Sequence, residues 1–199
     1  MIMNVLPRVL IGIAHNKTLN EHPLPIQAWH KSLRSMVANG EPIVARRDVG
    51  TINVEGELAV IIGRETSGLT VDNAFDYVTG FTIANDVTNV DRNAHDELIF
   101  QGKGGVGYTP LGPRVVDALP DPEQTSIRVF VNDELRADSG THKLPSTIAE
   151  SLAYVASWVP LGPGDVIMTG APGTAVPVQP GDVVRIVVDG IGTLENPVV

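Results

Sequence analysis

The chain has 199 residues, of which 43% are hydrophobic and 19% charged, values that are typical of a globular protein and exclude extended disorder. Its formal net charge of −9 argues against a nucleic-acid-binding surface, which requires a basic stripe. Cysteine is absent, which excludes disulfides, cysteine-based zinc or iron–sulfur sites and a cysteine nucleophile.

The N-terminal segment lacks the basic start of a secretory signal, and Pro7 and Arg8 interrupt its short apolar run. No stretch approaches the roughly 20 apolar residues that a membrane span requires. The sequence therefore predicts a soluble, cytoplasmic protein. No linker or break in composition divides the chain, so we expect one domain.

Short apolar runs separated by proline and glycine predict a β-rich domain with many turns. Asn132 and Asp133 lie between two such runs and predict a hairpin turn. Other turns are predicted where Pro-Gly-Asp precedes an apolar run, because these residues favour turn conformations. In chain order, the predicted strands cover residues 8–14, 57–63, 80–86, 126–132, 165–170 and 182–190.

Helices are predicted in fewer places. Residues 146–159 carry apolar side chains at helical spacing, and Thr147 and Glu150 have the spacing of a capping box. The pattern also predicts a helix over residues 70–80, stopped by the final glycine of that range. Residues 23–38 are ambiguous, because their apolar spacing suits a helix whereas their prolines favour an extended start.

Two carboxylates stand immediately before the apolar run 58–62. Because side chains alternate along a strand, Glu55 and Glu57 are expected on one face, with Gly56 leaving room on the other. Two like charges held this close repel each other, and burial increases the cost. Two interpretations stay open here: the strand begins in solvent with both acids hydrated, or a cation lies between them.

A third carboxylate, Asp86, ends an apolar strand, where aspartate commonly caps or turns the chain. Lys103 lies among glycines, in a spacing that does not fit a phosphate-binding loop. Together, Glu55, Glu57 and Asp86 supply three negative charges, which a divalent ion and one lysine would neutralise. Oxygen ligands without cysteine or histidine suit Mg²⁺ or Mn²⁺, with Ca²⁺ as an alternative.

Six segments, in this order and spacing, resemble the fumarylacetoacetate hydrolase family. They are VEGELAVIIG (54–63), DYVTGFTIANDVT (76–88), GKGGVGYTPLGP (102–113), VNDELRADSGT (131–141), LGPGDVIMTGAPG (161–173) and PGDVVRIVVDGIGTLEN (180–196). The resemblance implies an α+β, β-rich fold, a mixed β-roll with few short helices, and a homodimer. It also implies a single catalytic domain over residues 1–199, in which residues 1–50 form an N-terminal lid and strand segment.

The resemblance implies roles for particular residues. Lys103 matches the family's lysine beside the metal, and we expect it to take part in catalysis. Lys31 matches a lysine of the N-terminal segment, and Thr169 belongs to a segment that helps to hold the substrate. The metal ligands that the resemblance implies, for Mg²⁺ or Mn²⁺, are Glu55, Glu57 and Asp86.

The chain also departs from the family pattern. Hydrolytic members carry a histidine and, three residues later, a glutamate on a lid; here Glu21 keeps the position of the acid, but Thr18 replaces the histidine. His15 lies one helical turn earlier and is a candidate base, the alternative being a surface or packing histidine. Val90 and Ala171 stand where the family often has polar residues.

We therefore expect an enzyme that acts on a 2-oxo or 1,3-diketo carboxylic acid through a metal-stabilised enolate. The missing lid histidine favours an isomerase or decarboxylase of the hydroxymuconate branch, in the breakdown of aromatic or related compounds. The first alternative is a C–C hydrolase of the acylpyruvate or fumarylacetoacetate type. The second is a catalytically silent relative that binds metal and an acidic ligand. In each case we expect a small-molecule ligand, without nucleic acid or membrane partners.

Overall fold

The structure, a computed structural model, describes residues 7–18, 23–45 and 50–199. Most of this part of the chain is extended, and its strands form one mixed sheet and one antiparallel sheet. The described strands are β1 (Leu10–His15), β2 (Ile26–His30), β3 (Met36–Val37), β4 (Ile52–Ile62), β5 (Val78–Asn85), β6 (Thr88–Asn89), β7 (Thr109–Val116), β8 (Ser126–Val131), β9 (Glu134–Gly140), β10 (Val166–Met168), β11 (Ala175–Val178), β12 (Val183–Val188) and β13 (Gly192–Pro197).

Helices are short and few, so the α+β, β-rich fold class is confirmed. The α-helices among the described residues are α1 (Val90–Asn93), α2 (Phe100–Lys103) and α3 (Ile148–Trp158), and the 3-10 helices are Leu33–Ser35, Val71–Tyr77, Pro122–Gln124 and Thr141–Lys143. The capping box of α3 is confirmed, since Glu150 N donates to Thr147 Oγ1 at 3.0 Å and Thr147 N donates to Glu150 Oε2 at 2.8 Å.

One helix prediction needs correction, and the structure resolves one ambiguous segment. The helix predicted over residues 70–80 ends earlier, because the chain leaves the 3-10 helix at Tyr77 and Gly80 lies within β5, where it pairs with Ile61 of β4. The ambiguous segment 23–38 contains strand β2, the short 3-10 helix and β3 instead of one long helix. In both segments, hydrogen bonds to neighbouring strands outweigh a local helical pattern.

The large sheet is built around β4. Its strand order is β2-β1-β10-β4-β5-β7-β3, and the first half of β4 also pairs with β6 and β11. Leu58 to Ile62 are buried at every position, so this part of β4 is covered on both faces. In the antiparallel pairing with β5, Gly56 lies opposite Asn85, so that Asp86 follows β5 directly beside Glu55, and Asp86 N donates to Glu55 O at 3.0 Å.

The second sheet, in the order β13-β12-β8-β9, packs on β4. A Cβ atom added to Gly56 would lie 2.9 Å from Val129 Cγ2 and 3.1 Å from Ile186 Cγ2, so only glycine permits this approach of the two sheets. The predicted hairpin between β8 and β9 is confirmed, since Asn132 and Asp133 have φ of 52° and 67°. No helix of the described residues is long and apolar enough to cross a membrane.

Candidate functional site

Strand alternation and the β4–β5 register bring three acidic side chains to one place. Glu55 and Glu57 extend from the same face of β4, as predicted, and Asp86 reaches them from the end of β5. One carboxylate oxygen from each of the three residues lies within 4.8 Å of the others. Glu57 and Asp86 are buried and Glu55 is half-buried, so the interpretation of two hydrated acids at a strand start is wrong for Glu57.

Two buried lysines contact this carboxylate cluster. Lys103 Nζ donates to Glu55 Oε2 at 2.9 Å and to Asp86 Oδ2 at 2.8 Å. Lys31 Nζ donates to the other oxygen of Asp86 and, at 2.9 Å, to the backbone carbonyl of Tyr108. The carboxylate of Asp86 is thus held between two ammonium groups, and if all five side chains were charged the three acids and two lysines would leave one negative charge uncompensated.

Charges in this cluster fix the protonation of Asp86 and Lys103. Burial acts to raise the pKa of Asp86, but the charges and hydrogen bonds of Lys31 and Lys103 outweigh it and lower the pKa. Burial acts to lower the pKa of Lys103, but Asp86 and Glu55 outweigh it and raise the pKa. Both groups are therefore charged at neutral pH.

Glu57 is the member of the cluster without a cation of its own. Among the ion pairs of the described residues, none includes Glu57; its Oε2 accepts a hydrogen bond from Gly170 N at 2.8 Å. Burial, and then the charges of Asp86 and Glu55, raise the pKa of Glu57 well above 4.5. A cation beside Glu57 would offset this cost, and an all-oxygen donor set fits a hard divalent ion such as Mg²⁺ or Mn²⁺.

Thr88 is a residue of the site that the sequence did not single out. Its hydroxyl donates to Glu55 Oε1 at 2.8 Å, while Lys103 holds the other oxygen of Glu55. Both oxygens of Glu55 are therefore positioned, as is common for metal-binding carboxylates. The sequence signal that could have identified Thr88 is its position two residues after Asp86, because side chains two residues apart lie on the same side of an extended chain.

A cavity of about 390 Å³ opens beside the carboxylate cluster. Glu55, Thr88 and Lys103 form its wall on that side, and His15 and Ala171 contribute to other walls. This volume is within the range of small-molecule sites. One cavity is therefore lined by Glu55, a predicted metal ligand, by Lys103, which is predicted to take part in catalysis, and by His15, the candidate base.

The neutral ring of His15, at the end of β1, is held in one tautomer. Its Nε2 lies 2.8 Å from the carbonyl oxygen of Thr169, which can only accept, so Nε2 carries the proton and donates. Nδ1 then bears the lone pair, and it is buried without a hydrogen-bond partner among the described residues. Burial lowers the pKa of His15 below 6.5, partly opposed by the Thr169 carbonyl, so the ring is neutral at neutral pH.

We expect the His15 ring to titrate with a midpoint below 6.5. Because the unfolded chain binds this proton more readily, the contribution of His15 to the free energy of unfolding is complete above pH 6.5 and is lost as the pH falls through the lower folded pKa. Histidine-ring NMR over this pH range measures the midpoint, and His15→Gln identifies the resonance. A midpoint above 6.5 would contradict the burial argument.

The other predicted residues lie in varied places. Glu21 falls outside the described residues, and its role stays a prediction. Thr18 is exposed. Thr169 is fully buried and its hydroxyl donates to Leu58 O at 2.8 Å, while Ala171, two residues on, lines the cavity; a substrate contact by Thr169 also stays a prediction. Val90 is 38% exposed on the first turn of α1.

The fold recurs in known proteins. A family model described as fumarylacetoacetate (FAA) hydrolase C-terminal matches residues 11–199. The structure is similar to that of 5-carboxymethyl-2-hydroxymuconate delta-isomerase from Mycobacterium smegmatis, with a TM-score of 0.89 and 34% identity over 98% of this chain and 80% of the other. It is also similar to fumarylacetoacetate hydrolase from Exiguobacterium antarcticum, with a TM-score of 0.86 and 33% identity over 97% of this chain and 76% of the other.

A curated relative, an uncharacterized protein of Staphylococcus aureus strain USA300, is 34% identical over 190 residues. The match covers 90% of this chain and 63% of the relative, so the chain spans less than two thirds of the length of the curated relatives that it matches. The family match extends over almost the whole chain and agrees with the fold. The chain belongs to the fumarylacetoacetate hydrolase family.

Proposed function

We propose that this protein is a divalent-metal-dependent enzyme that isomerises or decarboxylates a 2-oxo or 1,3-diketo carboxylic acid from the breakdown of aromatic or related compounds. The observation that carries the proposal is the set of three carboxylates within 4.8 Å of one another, in which buried Glu57 has no cationic partner among the described residues. The similarity to a hydroxymuconate isomerase agrees with this choice. A homodimer is proposed from the family resemblance alone.

The metal, Mg²⁺ or Mn²⁺ with Ca²⁺ as an alternative, would be held by Glu55, Glu57 and Asp86. When bound, such an ion acts as a Lewis acid that draws negative charge onto the substrate oxygens. Lys103 adds a fixed positive charge at the cavity wall, which favours an anionic substrate and the charge that develops during the reaction. Lys31 positions Asp86 through their buried ion pair.

His15 is proposed to move the proton. Its neutral ring holds a lone pair on Nδ1, so it can accept a proton from the carbon next to a carbonyl group and return it elsewhere on the substrate. The imidazolium formed in this step keeps its Nε2–H bond to the Thr169 carbonyl, which stabilises the positive charge. An isomerisation of this kind requires no activated water.

C–C bond hydrolysis is the second candidate, because the chain is also similar to the hydrolase from Exiguobacterium antarcticum. In that reaction Glu21, together with His15, would activate water. The exposed Thr18, at the position where the family's hydrolases carry a lid histidine, favours the first proposal.

The test is to incubate the protein and Mn²⁺ with oxaloacetate, acetylpyruvate and a 2-hydroxymuconate, and to follow ultraviolet absorbance. We expect decarboxylation or isomerisation without cleavage of acetylpyruvate, and loss of activity in EDTA and in Glu55→Ala. The exposed Asp117→Asn is the matched control. Cleavage of acetylpyruvate would favour the hydrolase, and inactivity with bound Mn²⁺ would favour a catalytically silent relative.

A further inference from the structure

The side chain of Trp29, which lines the cavity, has a hydrogen-bond donor without a partner among the described residues. Trp29 lies on β2, lines the cavity beside the carboxylate cluster and is 8% exposed. Its Nε1 is buried and has no hydrogen-bond partner within the described ranges. An indole N–H can only donate, and a buried donor without a partner is costly. A bound ligand would remove that cost.

Gly12 makes room for the indole. β1 and β2 pair so that Gly12 lies directly opposite Trp29. A Cβ on Gly12 would lie 2.7 Å from Trp29 Cε2 and 2.8 Å from Nε1, far inside the contact distance. The φ of Gly12 is not in the left-handed region, so the backbone there is open to any residue. Glycine at this position is therefore explained by the space that the indole occupies.

The indole also lies next to the charged part of the site. Lys103 Nζ is 5.3 Å from the centroid of the Trp29 ring and contacts both Glu55 and Asp86. An anionic group in the cavity would be attracted to this ammonium group. A carboxylate offers about four acceptor sites, so it can bind a cation and still accept from a neighbouring N–H.

We propose that the indole N–H of Trp29 donates a hydrogen bond to the carboxylate of the substrate, so that Trp29 determines affinity for carboxylic acids over neutral diketones. This inference rests on the proposed function, because it takes the ligand to be a 2-oxo or 1,3-diketo acid. Gly12 is a positioning residue that sets where the indole lies.

Two probes separate carboxylate recognition from general packing. Oxalate carries carboxylates, whereas acetylacetone offers two chelating oxygens and no carboxylate. Trp29→Phe keeps an aromatic ring and removes the N–H. In the Mn²⁺-loaded protein, calorimetry should show that Trp29→Phe raises the Kd of oxalate about 10- to 100-fold. The Kd values of acetylacetone and of Mn²⁺ should stay within about twofold of the wild type.

Gly12→Ala gives a second route to the same result, because it displaces the indole without removing it. We expect a loss of oxalate affinity of similar size, with Mn²⁺ affinity unchanged. Trp158→Phe is the matched control, since Trp158 is 75% exposed and is the other of the two tryptophans in the chain. Trp158→Phe leaves Trp29 as the remaining tryptophan of the chain. Oxalate should change its fluorescence emission, and this measurement does not require a substitution of Trp29.

The outcomes distinguish the two proposals. If Mn²⁺ binds and Trp29→Phe leaves the Kd of oxalate unchanged, the Trp29 proposal is wrong while the metal-dependent function stands. An equal loss for oxalate and acetylacetone also overturns it, because Trp29 would then act by packing. If the emission of Trp29 in Trp158→Phe stays unchanged on saturation with oxalate, the Trp29 proposal is also wrong. If the wild type does not bind Mn²⁺, the proposed function and the Trp29 proposal both fail.

Discussion

Asp86→Asn is expected to lower the free energy of unfolding of the metal-free protein by about 3–5 kcal/mol, the cost typical of breaking a buried ion pair from one side. The Asp86 carboxylate is 1% exposed and accepts from both Lys31 and Lys103. An amide of the same shape removes the negative charge that both ammonium groups contact. Lys103 keeps its ion pair with Glu55, whereas Lys31 has no other ion pair among the described residues. Urea denaturation in the presence of EDTA measures the change.

Asp117→Asn is the control for this prediction, because Asp117 is exposed and the same chemical change should there alter the free energy of unfolding by less than about 0.5 kcal/mol. The Asp86 variant should also lose Mn²⁺ binding. If the metal-free Asp86→Asn protein is as stable as the metal-free wild type, Asp86 does not stabilise the charges of Lys31 and Lys103. The electrostatic description of the cluster would then be wrong.

Glu57→Gln is expected to have the opposite effect on the metal-free protein. Glu57 is buried, and its carboxylate has no ion pair among the described residues, whereas glutamine can keep the hydrogen bond from Gly170 N through its amide oxygen. We expect the free energy of unfolding in EDTA at neutral pH to rise, because the neutral amide removes the cost of burying a carboxylate charge beside Asp86 and Glu55. Mn²⁺ affinity should fall at least about 100-fold, beyond the loss typical of residues that only support a ligand.

The same argument gives a pH dependence. Since the pKa of Glu57 is raised above 4.5 in the folded protein, the folded state binds more protons than the unfolded chain as the pH increases from that value. The metal-free wild type should therefore lose stability as the pH rises from 4.5 through the raised pKa, and Glu57→Gln should remove that part of the slope. If the free energy of unfolding of the two proteins in EDTA depends on pH in the same way, the charge of Glu57 does not destabilise the folded protein.

Local patterns in the sequence were sufficient for several parts of the fold. The alternation around Glu55 and Glu57, the hairpin at Asn132, and the capping box that begins at Thr147 were each predicted and confirmed. These features depend on residues within a few positions of one another, so strand period, turn preference and capping chemistry decide them. The prediction of a helix that reaches Gly80 was wrong, because the conformation of Gly80 depends on its pairing with β4, which is distant in the sequence.

The sequence by itself determined that acidic residues begin one buried strand and end another, and their resemblance to a family implied a shared metal. Only the tertiary structure decided that Glu57 lacks a cation among the described residues while Asp86 has two. It also decided that Trp29, from the segment whose apolar spacing suited a helix, lies on a strand and lines the cavity, with an N–H that has no partner among the described residues. Residues 31 and 86 are 55 positions apart, and only strand register and sheet packing bring them together.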